Sequence, residues 1–262
     1  MNPTIRAFIA VEIAQGSLAK IAKTLRPIKR AFPSIKWVEQ ENFHVTLKFL
    51  GSNVPVTQLH RVMQAVERAC KSVEQFDVAL EGFGAFPDAN NPKTLWVGIT
   101  EGTEELELLA QRIDEELSTL GFPRENRAFS PHLTIGRARR NERGEGRDAT
   151  QTLAELLQQV EDVDFGVSPI DSVVLYSSEL MRGDPKYEAL ATFDLAPLGA
   201  DLVPQECDEE TQNDPQPQSA DVATPKPMRH AFDVQALDLD IDEELREILG
   251  DMPGRSKNRK SR

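Results

Sequence analysis

Apolar residues near the start of the chain fall on every second position: Ile5, Ala7, Ile9, Val11 and Ile13, with Arg6, Ala10 and Glu12 among the residues between them. A period of two puts those side chains on one face of a strand and leaves the other face for different work. The period then lengthens. Leu18, Ile21, Ala22 and Leu25 recur at helical spacing, Ser17 is placed to cap that helix, and Pro27, which lacks an N–H, is expected to end or kink it. A short strand around Trp37 and Val38 follows, then a strand over 43–50 closed by Gly51. Thr57 opens a helix with Leu59, Val62, Met63, Val66, Ala69 and Val73 on one side, and residues 76–80 return to strand character.

The second half repeats this order. Leu95 to Ile99 reads as a strand, and 104–120 as a helix striped by Leu106, Leu109, Ala110, Ile113, Leu117 and Leu120. Thr103 is its expected cap, Glu104, Glu105 and Glu107 suit its positive end, and Gly121 with Pro123 stops it. A strand through 132–135, a helix over 150–160 and strands near Phe165, at 173–176 and at 189–195 complete the pattern. Phe8 and His44 are 36 residues apart, as are Trp96 and His132. The order β-α-β-α-β therefore occurs twice. It predicts an α+β domain over 1–198, built as two pseudo-symmetric lobes, each an antiparallel sheet with outer helices, with a cleft between them.

Residues 199–262 hold 15 acidic against 8 basic side chains, with Pro204, Pro215, Pro217, Pro225 and Pro227 among polar residues. That composition predicts a largely disordered acidic tail, with room for a short helix at 242–249 and a basic terminus at 255–262. The whole chain carries a net charge of -13, which argues against non-specific coating of long duplexes and leaves short or end-specific nucleic-acid substrates open. Two cysteines, Cys70 and Cys207, make no disulfide framework and no CxxC motif, which suits a cytoplasmic protein. No run of about 18 apolar residues occurs, so no membrane span is expected.

Two of the four histidines are followed two places later by threonine: His44-Val45-Thr46-Leu47 and His132-Leu133-Thr134-Ile135. With threonine at about one position in 19, two such hits arise by chance roughly one time in sixty, and both lie at equivalent places in the repeat. On a strand, residues i and i+2 share a face, so His and Thr point together while their neighbours face the core. In-line hydrolysis of a phosphodiester needs a base behind the attacking water and an acid beside the leaving oxygen, and histidine serves either role near neutral pH. Threonine hydroxyls and a cation hold the phosphoryl oxygens. Arg137 is the candidate cation; strict alternation turns it away from His132, and a bulge at Gly136 is what would re-aim it. Phe49, its counterpart in the repeat, reads either as a core residue or as a platform for stacking on a base. No carboxylate cluster accompanies the histidines, so neither a metal nor another cofactor is expected. His60 and His230 read as surface residues, Trp37 and Trp96 as packing residues, and the arginines at 139, 140, 143 and 147 as a loop that is either solvated or in contact with RNA.

These residues resemble the two-histidine phosphoesterases, and within them the RNA 2',3'-cyclic phosphodiesterases, also called 2'-5' RNA ligases. The resemblance covers residues 5–198 and rests on Arg6 to Glu12, on Trp37-Val38 with Glu41 to Gly51, and on Phe129 to Arg137. Leu175-Tyr176-Ser177-Ser178 with Leu180, Gly183, Pro185 and Tyr187 adds to it. It implies a bilobal fold, no metal, and opening of a terminal cyclic phosphate on RNA to a 2'-phosphomonoester, with His44 as proton donor and His132 as proton acceptor. The internal symmetry by itself assigns neither role. The expected partners are RNA ends, and a monomer is expected. Two other readings are carried forward: a non-catalytic binder of RNA ends or nucleotides, and the same chemistry on another cyclic nucleotide or a 2'-5' linkage.

Overall fold

A computed structural model describes residues 3–138, 153–179 and 185–200, all within one compact unit, Met1–Asp208. The expected helix at 242–249, the arginine-rich loop, His230 and the tail beyond residue 200 lie outside the described residues. The first strand, β1 (Thr4–Val11), is followed by α1 (Gln15–Ala31), β2 (Lys36–Trp37), a 3-10 turn at Gln40–Asn42, β3 (Val45–Pro55), α2 (Leu59–Lys71) and β4 (Phe76–Phe86). The second half supplies β5 (Thr94–Glu101), α3 (Thr103–Ser118), β6 (Leu133–Arg137), α4 (Leu153–Gln159), β7 (Asp164–Ile170), β8 (Ser172–Glu179) and β9 (Lys186–Asp194). The expected α+β class and the repeated element order are both present.

The strands form one antiparallel sheet in the order β7-β4-β5-β6-β3-β1-β8-β9, with β2 on the far side of β6. The two halves of that sheet meet through a single pair, Val45 of β3 opposite Leu133 of β6. Each lobe mixes the two chain halves. Strand β4, from the first half, lies between β5 and β7, whereas β8 and β9 return to pair beside β1. The helices cross over as well: α1 packs on β7, while α3 packs on β3 and against α2. The duplicated order is thus realised as an exchange of strands and helices between lobes, which lie within one compact unit.

Ile9, Val11, Val45, Leu47, Leu95, Val97, Leu133 and Ile135 are buried under the helices. Lys48 projects from β3 to the same side and donates to the carboxylate of Asp114 on α3 and to the Pro123 carbonyl at 2.9 Å. A nearly buried ion pair of this kind stabilises little by itself but is costly to break on one side only.

Several helix and strand ends differ from the expectations, each for a tertiary reason. Helix α1 begins before Ser17, which is buried inside it, and its cap residue Ala14 donates its N–H to Ser168 Oγ of β7 at 2.8 Å. It also runs through Pro27 to Ala31, its buried stripe of Leu25, Ile28 and then Phe32 holding the last turn down. Thr103 is the first residue of α3 rather than its cap. Gly102 caps it at φ +77°, where a Cβ would lie 2.4 Å from the Asp77 carbonyl oxygen of β4. Gly51 does not end β3 but lies within it at φ +110°, at a bulge opposite Ala7. Among the described residues no helix is long and apolar enough to cross a membrane.

Candidate active site

The two His-x-Thr motifs lie at the junction of the lobes. With Val45 opposite Leu133, the register sets His44 across from Thr134 and Thr46 across from His132, all four on the face turned away from the core. The histidines occupy one diagonal of this rectangle and the threonines the other. Neither threonine hydroxyl has a hydrogen-bond partner among the described residues, and both side chains are at least partly exposed.

Both imidazoles are held the same way. Nδ1 of His44 lies 2.8 Å from the Asn42 carbonyl oxygen, and Nδ1 of His132 lies 2.8 Å from the Ser130 carbonyl oxygen. A carbonyl only accepts, so each Nδ1 carries a proton, and in the neutral ring Nε2 is the unprotonated nitrogen. The 3-10 turn at Gln40–Asn42 sets the first of these carbonyls, and the Asn42 side-chain amide donates to the Pro185 carbonyl at 3.4 Å.

A bulge follows each motif. In β6, Trp96 faces Thr134 but Leu95 faces Gly136, so Ile135 is the extra residue. In β3, Ala10 faces Thr46 but Ile9 faces Lys48, so Leu47 is the extra residue. One added residue restores the threonine face three positions on, which brings Arg137 and Phe49 to the cleft side. The re-aiming expected for Arg137 therefore occurs, although the bulge is at Ile135. Gly136 serves another end: a Cβ there would lie 2.8 Å from the Trp37 ring, whose Nε1–H donates to the Phe32 carbonyl at 2.9 Å. Phe49 is not a core residue; it is 46% exposed, with the Arg6 guanidinium 4.4 Å from its ring centre.

The surroundings of the two histidines differ. His44 packs on Phe8 with ring centres 4.9 Å apart and meets Tyr187 edge-on at 5.4 Å, while Tyr176 stacks on Phe8 and donates to the Glu12 carboxylate. His132 meets Phe86 edge-on at 5.2 Å, and Phe86 in turn packs on Trp96, for which Gly84 leaves room. Burial pushes the His44 imidazole down to about 4; the Asn42 carbonyl opposes this, and the electrostatic effects of Arg137 and His132 add to it. Burial and the Glu12 hydrogen bond raise the Tyr176 hydroxyl, which stays protonated. A recess of about 490 Å³ opens beside His44 among Glu12, Gln15, Glu41, Asn42, Tyr176 and Tyr187, and His132 is not on its wall. Among the described residues no three His, Cys, Asp or Glu side chains are grouped to hold a metal ion. The register brings two imidazoles, two hydroxyls and the Arg137 guanidinium to one face of the sheet. His60, on α2, is exposed and takes no part.

The family model of the 2'-5' RNA ligase superfamily matches residues 16–179. The chain belongs to that superfamily of two-histidine phosphoesterases. It is 32% identical over 191 residues, or 73% of this chain and 99% of the other, to an RNA 2',3'-cyclic phosphodiesterase of Methanothermobacter thermautotrophicus. It is 33% identical over 186 residues, 71% of this chain and 98% of the other, to one of Methanocaldococcus jannaschii. The crystal structure of the Thermus thermophilus protein TT0787 superposes with a TM-score of 0.57 at 25% identity, covering 74% of this chain and 99% of that one.

Reading the chain for chemistry alone missed the aromatic surround. Phe8 and Glu12 were open to detection, since they occupy the face of β1 that the apolar alternation leaves unused. Tyr176 and Tyr187 entered only through the family resemblance, with no place at the site, and Phe86 gave no signal, because only strand pairing brings β8, β9 and β4 to the histidines.

Proposed function

We propose that this chain is an RNA 2',3'-cyclic phosphodiesterase that opens the terminal ring to a 2'-phosphomonoester, with His44 as proton donor and His132 as proton acceptor. What carries the reading is the pairing of the two His-x-Thr motifs at Val45 and Leu133, with both Nδ1 atoms tied to carbonyls. Water attacks phosphorus, and His132 Nε2 takes its proton. The P–O3' bond breaks, and O3' receives the proton of His44 Nε2. Thr46, Thr134 and Arg137 hold the phosphoryl oxygens as charge builds on them. No step calls for a metal or cofactor.

The recess supports the assignment of roles. Attacking water and leaving oxygen lie on opposite sides of phosphorus, and O3' belongs to the terminal ribose, so the nucleoside must sit on the donor's side. The recess of about 490 Å³ is beside His44. By itself His44 is neutral at pH 7, its pKa pushed down to about 4 chiefly by burial. An anionic phosphate bound between it and Arg137 opposes those causes, so His44 takes up its proton along with the substrate. Phe49, exposed on the cleft face, is the candidate platform for a base. The buried Cys70 thiol, pushed up to about 12 by burial, is inert and takes no part in the reaction.

The test is turnover of RNA ending in a 2',3'-cyclic phosphate with excess chelator present, the product resolved by phosphorus NMR. A 2'-phosphate formed at the unchelated rate is expected. Loss of turnover restored by added metal would overturn the mechanism, a 3'-phosphate product only the regiochemistry. Binding without turnover would favour the non-catalytic reading, and turnover confined to 2'-5' linkages the alternative substrate.

A further inference from the structure

The recess beside His44 does not stand alone. A second recess, about 350 Å³, lies along α1 and shares Gln40 and Phe43 with the first. Its wall carries Arg26, Lys29 and Arg30, whose spacing of three and four puts them on one side of the helix. The Lys29 ammonium is already engaged, donating to the Val38 carbonyl at 3.1 Å with Glu39 at 3.9 Å. Arg26 and Arg30 are exposed and form no ion pair among the described residues. Basic residues in the last turn of a helix suit its dipole, but Arg26 precedes that turn, so the dipole does not account for it.

Charge is ordered along this groove. Next to His44 it is acidic, with Glu12 and Glu41; at Gln40 and Phe43 it is uncharged; along α1 the three cations Arg26, Lys29 and Arg30 outnumber the single carboxylate of Glu39, which Lys29 engages. The ligand that fits has its reacting phosphate at the histidines, a neutral donor-bearing unit in the acidic part, and a second negative charge one unit further along. An RNA strand has that order: the cyclic phosphate, the terminal nucleoside with its N–H and hydroxyl donors, then the preceding phosphodiester. Glu12 and Glu41 repel that second phosphate, and Arg26 and Arg30 accept it.

We propose that the groove on α1, with Arg26 and Arg30 as phosphate contacts, is the subsite for the phosphodiester preceding the terminal nucleotide, so that the preferred substrate is a strand of two or more nucleotides. This rests on the function proposed above. The test compares adenosine 2',3'-cyclic phosphate with the dinucleotide and trinucleotide carrying the same terminus, for the wild type and for Arg26→Ala/Arg30→Ala and Arg26→Glu/Arg30→Glu. Wild type should favour the dinucleotide in kcat/KM through a lower KM, and the double alanine variant should lose about tenfold of that preference, the glutamate variant more. The slope of log KM against log salt for the dinucleotide should fall by about 0.7 in the alanine variant, the release expected for one single-strand phosphate contact. Equal use of the mononucleotide and the dinucleotide by wild type, or a preference that survives both variants, would overturn the subsite. Absence of turnover on all three would strike at the proposed function instead. The subsite is then read from the binding of dinucleotide against mononucleotide 2'-phosphates, where the same loss in the variants is required.

Discussion

The same four-residue motif occurs twice at the junction of the lobes, and its two copies are held alike but housed differently. Each histidine gives its Nδ1 proton to the carbonyl two residues before it, and each motif ends in a bulge. Around His44 stand Phe8, Tyr176, Tyr187, Glu12 and an open recess; around His132 stand Phe86 and Trp96. Three residues beyond the threonines, one bulge delivers Phe49 and the other Arg137. The lesson is a division of labour. Backbone geometry repeated by symmetry places the proton-transfer groups, and the unrepeated side chains around them set which does what.

Removing either histidine tests the shared part and should have the largest effect. His44→Ala and His132→Ala are each expected to lower kcat by about 10² to 10⁴, the range of a positioned acid or base, with the double variant falling well short of the product. Single-turnover rates for the three variants check this; fully multiplicative losses would mean that the two groups do not act in one step.

The bulge positions probe the unshared part. Arg137→Ala should cost about 10² in kcat, because a cation held at the developing charge is lost. Phe49→Ala should instead raise KM by less than about tenfold, as expected of a base-stacking contact. Reversed magnitudes would reverse the roles of the two lobes.

His44 should also make the free enzyme sensitive to acid. The unfolded imidazole titrates near 6.5 and the folded one near 4, so between those values the unfolded chain binds the extra proton. Stability therefore rises with pH across that window, by up to about 1.4 kcal/mol per unit, and His44 contributes no slope above it. Denaturant titrations from pH 4 to 7 should show this slope in wild type and lose it in His44→Gln.

Glu12→Gln offers a smaller test of the asymmetry. Glu12 is the carboxylate that favours the charged form of His44, so its loss should lower the His44 titration further, visible by NMR, with a change in kcat below about tenfold. An equal shift at His132 would deny that the surround is specific to one histidine. Least of all should come from deletion of 199–262, whose composition promises no core: turnover and Tm of the remaining domain should be nearly unchanged.

Much of this was legible in the chain because it is local. Alternating apolar residues marked β1, the helical stripes marked α2 and α3, and the repeat interval of 36 residues paired His44 with His132 before any strand was placed. Even the need for a bulge before Arg137 followed from a period of two. What could not be read was decided by contacts between distant segments. Ser168 of β7 anchors the Ala14 N–H just before α1 while Ser17 is buried inside the helix, and the closeness of Asp77 leaves room only for a glycine at position 102. The exchange of β4 and β8 between lobes brings Phe86 to one histidine and Tyr176 to the other. A repeat in sequence states that two units are alike, and it carries no information on which strand crosses to which sheet. That choice is made by contacts between distant segments, α1 on β7 and α3 on β3 among them, and from it come the recess, the aromatic surround and the distinction between His44 and His132.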